Sequence, residues 1–338
     1  MVELTKRRIP WHRTKLDRAL LAELNQRSNL LGFAQTLGYL STLTATGALA
    51  WWASLHLAWY WFLVALFFHG TCFSFSVNGF HELVHNSVFR TRSLNVLFLH
   101  VLSFIGWHNP VQFWASHSEH HKYTLYPPED GEVVLPVEMT LKGYLRSAFI
   151  DFWGGYQKIK IIFLRGAFGK LSPGWHTILF PPKNVEERRR LFRWDRVLII
   201  GHATIAGGAT YLGWWQVLPL FTFASLIGRW LFLLCNSSQH VGLTDEIPDF
   251  RQNSRTFLLN PFVRFLYWHM NYHIEHHMYA AVPCYRLGRL HEAIRHDLPH
   301  CHRGLFPMWK EITSVLKRQK TDPDYQFVPE LPQASKTS

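Results

Sequence analysis

The chain has 338 residues, of which 48% are hydrophobic and 16% aromatic, and its 15 tryptophans are many for a soluble protein. Only 17% of the residues are charged, yet the formal net charge is +12. A basic chain can bind nucleic acid, but the apolar composition argues against a nucleic-acid-binding protein. It predicts a membrane protein whose excess of Lys and Arg lies at an anionic lipid surface. The four cysteines form no C-x-x-C pair, so neither a Cys-rich zinc site nor an iron–sulfur centre is expected.

A polar, basic N-terminal arm, residues 1–29, precedes the first apolar block. Residues 28–81 contain no Asp, Glu, Lys or Arg. A block of this length suits two membrane-spanning helices of about 20 residues each, which we place at about 31–53 and 58–80. The turn between them, "WWASLHLAWYW" at residues 51–61, is rich in tryptophan, as is typical of a bilayer interface.

The middle of the chain mixes apolar and basic residues. Residues 94–107 are apolar but too short to span a bilayer, so we expect a re-entrant or interfacial segment. Residues 144–170 combine apolar side chains with Lys and Arg, which favours a helix lying in the interface.

A second apolar block covers residues 197–244 and contains one charged residue, Arg229. It predicts two further spans, at about 197–213 and 215–235, with a turn at "LGWWQ", residues 212–216. A polar tail follows at 321–338. The sequence therefore predicts an all-α membrane domain over residues 30–320, with four transmembrane helices in two hairpins.

The orientation follows from the distribution of Lys and Arg. Neither hairpin turn contains any, whereas the arm, residues 82–195 and the chain after residue 245 hold nearly all of them. The positive-inside rule then predicts an integral, multi-pass protein with both termini and the middle segment in the cytoplasm.

Four histidine patterns stand out among the 21 histidines of the chain. "HELVH" gives H-x-x-x-H, "HSEHH" and "HIEHH" each give H-x-x-H-H, and "NSSQH" gives N-x-x-x-H. On a helix, residues i, i+3 and i+4 lie on one face, so each H-x-x-H-H presents three imidazoles together. The nine histidines are His81, His85, His117, His120, His121, His240, His273, His276 and His277.

Nine imidazoles are too many for one metal ion and suit two ions with four or five nitrogens each. All nine fall on the predicted cytoplasmic side, so we expect a dimetal site in a helical cytoplasmic cap. His108, His269 and Glu82 lie near these patterns and are candidates to hydrogen-bond the ligands. The scarcity of carboxylate candidates argues against the Glu-rich di-iron site of ferritin-like bundles.

The order and spacing of these patterns resemble the membrane fatty acid desaturase and hydroxylase superfamily, over roughly residues 30–310. The N-x-x-x-H after the last predicted span is similar to that of the desaturases. The resemblance implies a non-haem di-iron centre ligated by the nine histidines, with Asn236 approaching one iron through a water molecule and O2 as co-substrate.

The expected function is therefore desaturation of a lipid acyl chain. Because the sequence shows no redox motif of its own, we expect electrons from an external carrier of the ferredoxin or cytochrome b5 type, whose acidic surface would suit this basic chain. Three alternatives stay open: a di-iron hydroxylase or ketolase of an alkane, carotenoid, sterol or other lipid; a zinc membrane hydrolase that uses His81, His85 and Glu82; and a non-enzymatic metal-binding or transport protein. No motif identifies residues that bind the substrate.

Overall fold

A computed structural model describes residues 7–133, 135 and 139–332 of the protein, and over these residues the fold is helical, with isolated β-bridges only. Residues 1–6 of the predicted arm and 333–338 of the predicted tail lie outside the described residues. The helices are α1 Arg18–Leu24, α2 Asn29–His56, α3 Trp59–Ser74, α4 Ser76–Val84, α5 Arg92–Ile105, α6 Pro110–Tyr123, α7 Leu141–Ala148, α8 Phe152–Phe168, α9 Trp175–Leu179, α10 Val185–Tyr211, α11 Trp230–Asn236, α12 Phe250–Asn253, α13 Pro261–Leu266, α14 His273–Met278, α15 Leu287–Ile294 and α16 Leu305–Gln319.

Helices α2 and α3 form the first hairpin, with bounds close to the predicted ones. Ser28 caps α2 by accepting a hydrogen bond from the backbone N–H of Leu31. The hydroxyl of the buried Tyr39 donates to the carbonyl of Cys72 at 2.9 Å, which ties the two helices together. Helix α4 follows α3 after a single break at Phe75.

Among the described helices, the segment Trp59–Val84 is the one that is long and apolar enough to cross a membrane, with a mean hydropathy of 1.5. Helix α2 is longer, at 28 residues. It contains Gln, Ser, Thr and Gly, which are less apolar than the Leu and Phe of α3.

The second hairpin differs from its prediction. Helix α10 begins at Val185 rather than near 197, since Glu186 and Glu187 pair with Arg189 and Arg190 one turn later and extend it into polar sequence. The expectation of one continuous helix over 215–235 is wrong. That segment contains a short π-helix at Leu218–Thr222, a 3₁₀ turn at Ala224–Leu226 and the short helix α11.

Two residues account for this break. Pro219 has no N–H to donate in a regular helix. Gly228 adopts φ +63°, and a Cβ there would lie 2.5 Å from the carbonyl oxygen of Phe67, so the chain passes directly against α3. The backbone N–H of Gly228 donates to the carbonyl oxygen of Phe149 at 2.7 Å. This hydrogen bond joins the broken segment to the middle of the chain.

The two tryptophan-rich turns lie side by side. The rings of Trp51 and Trp214 are 6.2 Å apart, and those of Phe62 and Trp215 are 5.5 Å apart. Many large apolar side chains in or next to these turns are exposed, including Leu49, Trp52, Leu55, Trp59, Trp61, Leu63, Val64, Tyr211 and Trp214. The two hairpin ends therefore both expose apolar side chains, and they do so next to each other.

The remaining helices pack around the opposite ends of the hairpins. The predicted interfacial segment 144–170 forms α7 and α8, and α8 packs along α10. The core is centred on the fully buried Trp268, which contacts α4 where Gly79 leaves room for it, because a Cβ at Gly79 would lie 2.5 Å from the indole. This packing brings α4, α6 and α14 together.

Candidate metal centre

The three patterns with two or three histidines lie on or directly after short helices. His81 lies in α4 and His85 directly follows it, so the first pair is carried by the end of the first hairpin. Helix α6, which Asn109 caps and Pro110 begins, presents the second pattern. Helix α14 is only six residues long and presents the third, with all six residues buried.

These elements bring the nine histidines into two groups that could each hold a metal ion. In each group the ligand nitrogens lie within 4.8 Å of one another. The group of five consists of His81, His85, His117, His121 and His276; the group of four consists of His120, His240, His273 and His277. The second and third patterns each contribute to both groups, as the i, i+3, i+4 spacing allows.

The Nε2 atoms in the group of five approach each other closely. The Nε2 of His117 lies 3.2 Å from that of His85 and 2.9 Å from that of His121. The Nε2 atoms of His121 and His276 are 3.2 Å apart. Two nitrogens bound at right angles to one metal, each about 2.1 Å from it, are about 3.0 Å apart. The spacing is therefore that of adjacent ligands.

The group of four has the same spacing. The Nε2 of His273 lies 2.9 Å from that of His240 and 3.1 Å from that of His277. The Nδ1 of His240 must carry its hydrogen, because it donates to the carbonyl of Asn253 at 2.7 Å. In a neutral His240 the Nε2 atom therefore carries no hydrogen, and its lone pair is directed at His273.

Other imidazoles are oriented in the same way. The Nδ1 of His117 donates to Glu132 at 2.9 Å, and the Nδ1 of His120 donates to Asp130 at 2.8 Å. The hydroxyl of Thr124 donates to the carbonyl of His120, so it accepts from the Nδ1 of His277 at 3.3 Å. Nε2 lone pairs held this close repel one another unless a cation lies between them. The donor set thus fits a transition-metal ion in each group.

The Glu82 carboxylate lies between the first and the third histidine patterns, on the Nδ1 side of the rings. It accepts from the Nδ1 of His81 at 3.0 Å and lies 3.6 Å from the Nδ1 of His276. All three side chains are buried. Glu82 was predicted to hydrogen-bond candidate ligands, and the contact with His81 is compatible with that hypothesis.

Asp130 and Glu132 were not predicted. Both belong to the loop after α6, where Asp130 also accepts from the backbone N–H groups of Leu125 and Glu132 at 2.9 and 3.0 Å. The acidic run "EDGE" at residues 129–132, which follows "HSEHH" at 117–121 in the chain, was the signal that could have identified them. Such carboxylates fix the tautomer and the ring orientation of metal-binding histidines.

Burial keeps the imidazoles neutral, as metal binding requires. Burial, followed by the neighbouring histidine His81, lowers the pKa of His85 to about 3. Burial and nearby imidazoles likewise hold the pKa of His117, His276 and His277 well below the usual value. For His120 burial acts in the same direction, but the adjacent Asp130 carboxylate outweighs it and raises the pKa.

His108 and His269 do not behave as predicted. Among the described residues, neither forms a hydrogen bond with any of the nine histidines. His108 stacks on Phe80 with ring centroids 4.9 Å apart. His269 has a left-handed backbone, with φ +61°, next to the buried Trp268.

A cavity of 330 Å³ lies beside both histidine groups. His81, His117, His120, His240 and His273 line one side of it. Val77, Phe113, Phe232 and Met270 supply apolar walls. Asn236, the last residue of α11, also lines it, whereas His240 lies in the turn after α11 rather than on the helix.

Comparison with known proteins agrees with this arrangement. The sequence model of the family "Fatty acid desaturase" matches residues 58–309, about three-quarters of the chain. The chain belongs to the fatty acid desaturase family. The matched region contains all nine histidines, and the match confirms the resemblance inferred from their spacing.

Two relatives of this desaturase-family chain illustrate the range of similar proteins. The chain is 28% identical over 276 residues to an sn-1 acyl-lipid omega-3 desaturase (ferredoxin) of Nostoc sp. (strain 36). The aligned region covers 75% of this chain and 73% of the relative. The chain is 22% identical over 303 residues to a sphingolipid delta(4)-desaturase DES1-like protein of Oryza sativa subsp. japonica, covering 87% and 83%. Membership of the family indicates an oxidoreductase of lipid metabolism.

Proposed function

We propose that this chain is an O2-dependent desaturase that introduces a double bond into a lipid acyl chain, with one iron ion in each histidine group. The observation that carries the proposal is the pairing of a five-imidazole group with a four-imidazole group beside one apolar cavity, in a chain of the desaturase family. Neutral imidazole is a good ligand for iron. In this proposal the nine histidines are the ligands, and Asn236 reaches one iron through a water molecule.

Bound iron would supply the O2 activation that no side chain can provide. In the balanced reaction, two hydrogens leave adjacent carbons, and O2 takes them up with two electrons and two protons to give two waters. The work of the protein is to orient the substrate. Val77, Phe113 and Phe232 line the cavity and would exclude water while holding an acyl chain against the histidines.

In the proposed topology four segments cross the bilayer, and the histidines lie on the cytoplasmic side. Support comes from the adjacent tryptophan-rich turns, the exposed apolar side chains around them and the distribution of Lys and Arg. The fourth crossing would be the broken segment. Irregular backbone is tolerated at membrane depth where it packs against protein, as Gly228 does against α3.

The electrons would come from an external acidic carrier, and the N-terminal arm offers it a surface. The ring of Trp11 stacks on Phe250 at 4.2 Å, and Phe250 stacks on His277 at 5.2 Å. Arg8 and Arg13, on the same arm, are exposed. A basic surface this close to a ligand would both attract the carrier and shorten the electron path. The name of the Nostoc relative includes ferredoxin.

A di-iron hydroxylase or ketolase would use the same centre and remains the alternative, because the outcome depends on how the reacting carbon is placed. The zinc hydrolase hypothesis fits less well. His81 and His85 share their group with three further histidines. Glu82 is hydrogen-bonded behind His81 rather than directed at the cavity, so it is poorly placed to activate a water molecule.

The test is lipid profiling of a host that expresses the chain, together with metal analysis of the purified protein. We expect a new double bond in the acyl lipids and two iron ions per chain. The His277→Ala variant should insert normally but lose the iron ion of the group of four, and with it the product. The exposed His296→Ala variant is the matched control and should retain both. A new hydroxyl or keto group would favour the alternative, and full turnover by His277→Ala would refute the proposal.

A further inference from the structure

Two further cavities adjoin the metal-centre cavity and have charged side chains among their lining residues. One has a volume of 570 Å³ and shares Phe113 and Glu132 with the metal-centre cavity. The other has a volume of 260 Å³ and shares Val77 and Phe232 with it. The two have Lys158 and His108 in common. We refer to the pair as the Lys158 chamber.

The cations around this chamber differ in their partners. Arg165 forms an ion pair with Asp195, with Nε and Oδ2 2.9 Å apart. Arg229, the one charged residue of the second apolar block, forms an ion pair with Asp151. Glu132 accepts from His117 and so faces the metal centre. Each of these charges is accounted for within the fold.

Lys158 has no such partner. Its ammonium group donates to the carbonyl of Gly106 at 2.8 Å, and no carboxylate among the described residues forms an ion pair with it. An ammonium group has three N–H donors, so two remain available to a ligand. Burial, and then the positive charge of Arg229, lower the pKa of Lys158 to about 7, and the negative charge of Asp151 acts in the opposite direction. Lys158 is half-buried, and an ammonium group that is partly removed from water without an ion pair is stabilised when an anion binds beside it.

We infer that the Lys158 chamber binds the anionic head group of an amphiphilic lipid, a carboxylate or a phosphate, with the ammonium of Lys158 as its main contact. This inference rests on the proposed function, because the bound lipid would be the substrate whose acyl chain enters the metal-centre cavity. The Lys158 chamber and the metal-centre cavity share lining residues and are therefore adjacent, and in this inference one molecule extends from one into the other. The reacting carbons then lie on the part of the chain that passes Phe113 or Phe232.

The test measures binding to the purified, iron-loaded chain by calorimetry in a neutral detergent. The probes are oleate, 1-oleoyl lysophosphatidate and oleyl alcohol, which share one chain and differ in the head group. We expect at least one of the two anions to bind about 10- to 100-fold more tightly than the alcohol, the gain of a hydrogen bond to a charged group. Preference for oleate would indicate a carboxylate head, and preference for the lysophosphatidate a phosphate head.

Lys158→Met should abolish this preference for anions and leave the binding of oleyl alcohol unchanged, whereas Lys158→Arg should retain part of the preference. Lys160→Met is the matched control: Lys160 lies on the same helix, is exposed and sits over the ring of Tyr156, so its loss should have no effect. Iron content and gel-filtration profile identify a variant that fails to fold. In that case Lys158→Gln replaces it.

Equal binding of the anions and the alcohol by the wild type, or an unchanged preference in a folded Lys158→Met variant, would overturn the inference. The proposed function can fail separately. A chain that contains iron and desaturates lipid without any Lys158-dependent preference loses only the head-group site. A chain that shows the preference but yields no oxidised lipid retains the anion site and loses the desaturase proposal.

Discussion

Asp130 accepts a hydrogen bond from the Nδ1 of His120 at 2.8 Å, and both side chains are buried. The same carboxylate accepts from three backbone N–H groups of its own loop, those of Leu125, Glu132 and Val133, so it is held in place before any metal binds. Through Asp130, the loop after α6 controls the direction in which the Nε2 of His120 points.

The Asp130→Asn variant should bind metal in the group of four about 10- to 100-fold more weakly, because a neutral amide orients and polarises the imidazole less well than a carboxylate. The measurement is iron retention during competition with a chelator. Glu119→Gln is the control, since Glu119 lies on α6 but pairs with Lys122. Equal iron retention in the two variants would contradict the role given to Asp130.

Removing one ligand from each group should separate the two metal ions. We expect His85→Ala to lose iron from the group of five and His240→Ala to lose iron from the group of four, each leaving about one ion per chain. Metal analysis with Mössbauer spectroscopy would resolve the remaining iron. If each variant instead retained two ions, the assignment of ligands to two separate groups would be wrong.

Glu82→Gln distinguishes an oxygenase from a zinc hydrolase. The amide oxygen of glutamine can still accept from the Nδ1 of His81, so iron binding should weaken only moderately and lipid oxidation should remain measurable. A zinc hydrolase that used Glu82 as its general base would lose its activity in this variant. Lipid oxidation and hydrolysis are assayed in parallel on the same preparation, and loss of hydrolysis with no oxidation in either protein would favour the hydrolase.

Reversing the charges of Arg8 and Arg13 to Glu should raise the KM for a reduced, acidic ferredoxin about 10-fold at low salt, and less at high salt. The rate of product formation should not change when a chemical reductant replaces ferredoxin as the electron donor. The control reverses Lys310 and Lys317 on α16, which are exposed and give the same change in net charge. An equal effect of both pairs on KM would show only a general dependence on charge.

The spacing of the histidines predicted that each H-x-x-H-H would present its imidazoles together, because positions three and four apart share a helix face. Helix periodicity does not account for His240, which lies in a turn. The sequence could not show how they divide into groups of five and four, since that depends on how α4, α6 and α14 cross. Asp130 and Glu132 lie in a loop, where sequence periodicity says nothing about direction. The break after Pro219 was foreseeable from Pro219 and Gly228, but the apolar composition of the block outweighed them in the prediction.

The close approach of Nε2 atoms within each histidine group has a consequence for how the protein is made. Stretches of chain that are distant in sequence bring Nε2 lone pairs to within 2.9–3.2 Å of one another, and in the proposed centre a bound metal ion offsets that repulsion. A newly made chain would then complete this part of its assembly only once metal arrives. Cellular iron supply would then determine how many copies mature, and starvation would leave inserted but unfinished chains for membrane proteases to remove.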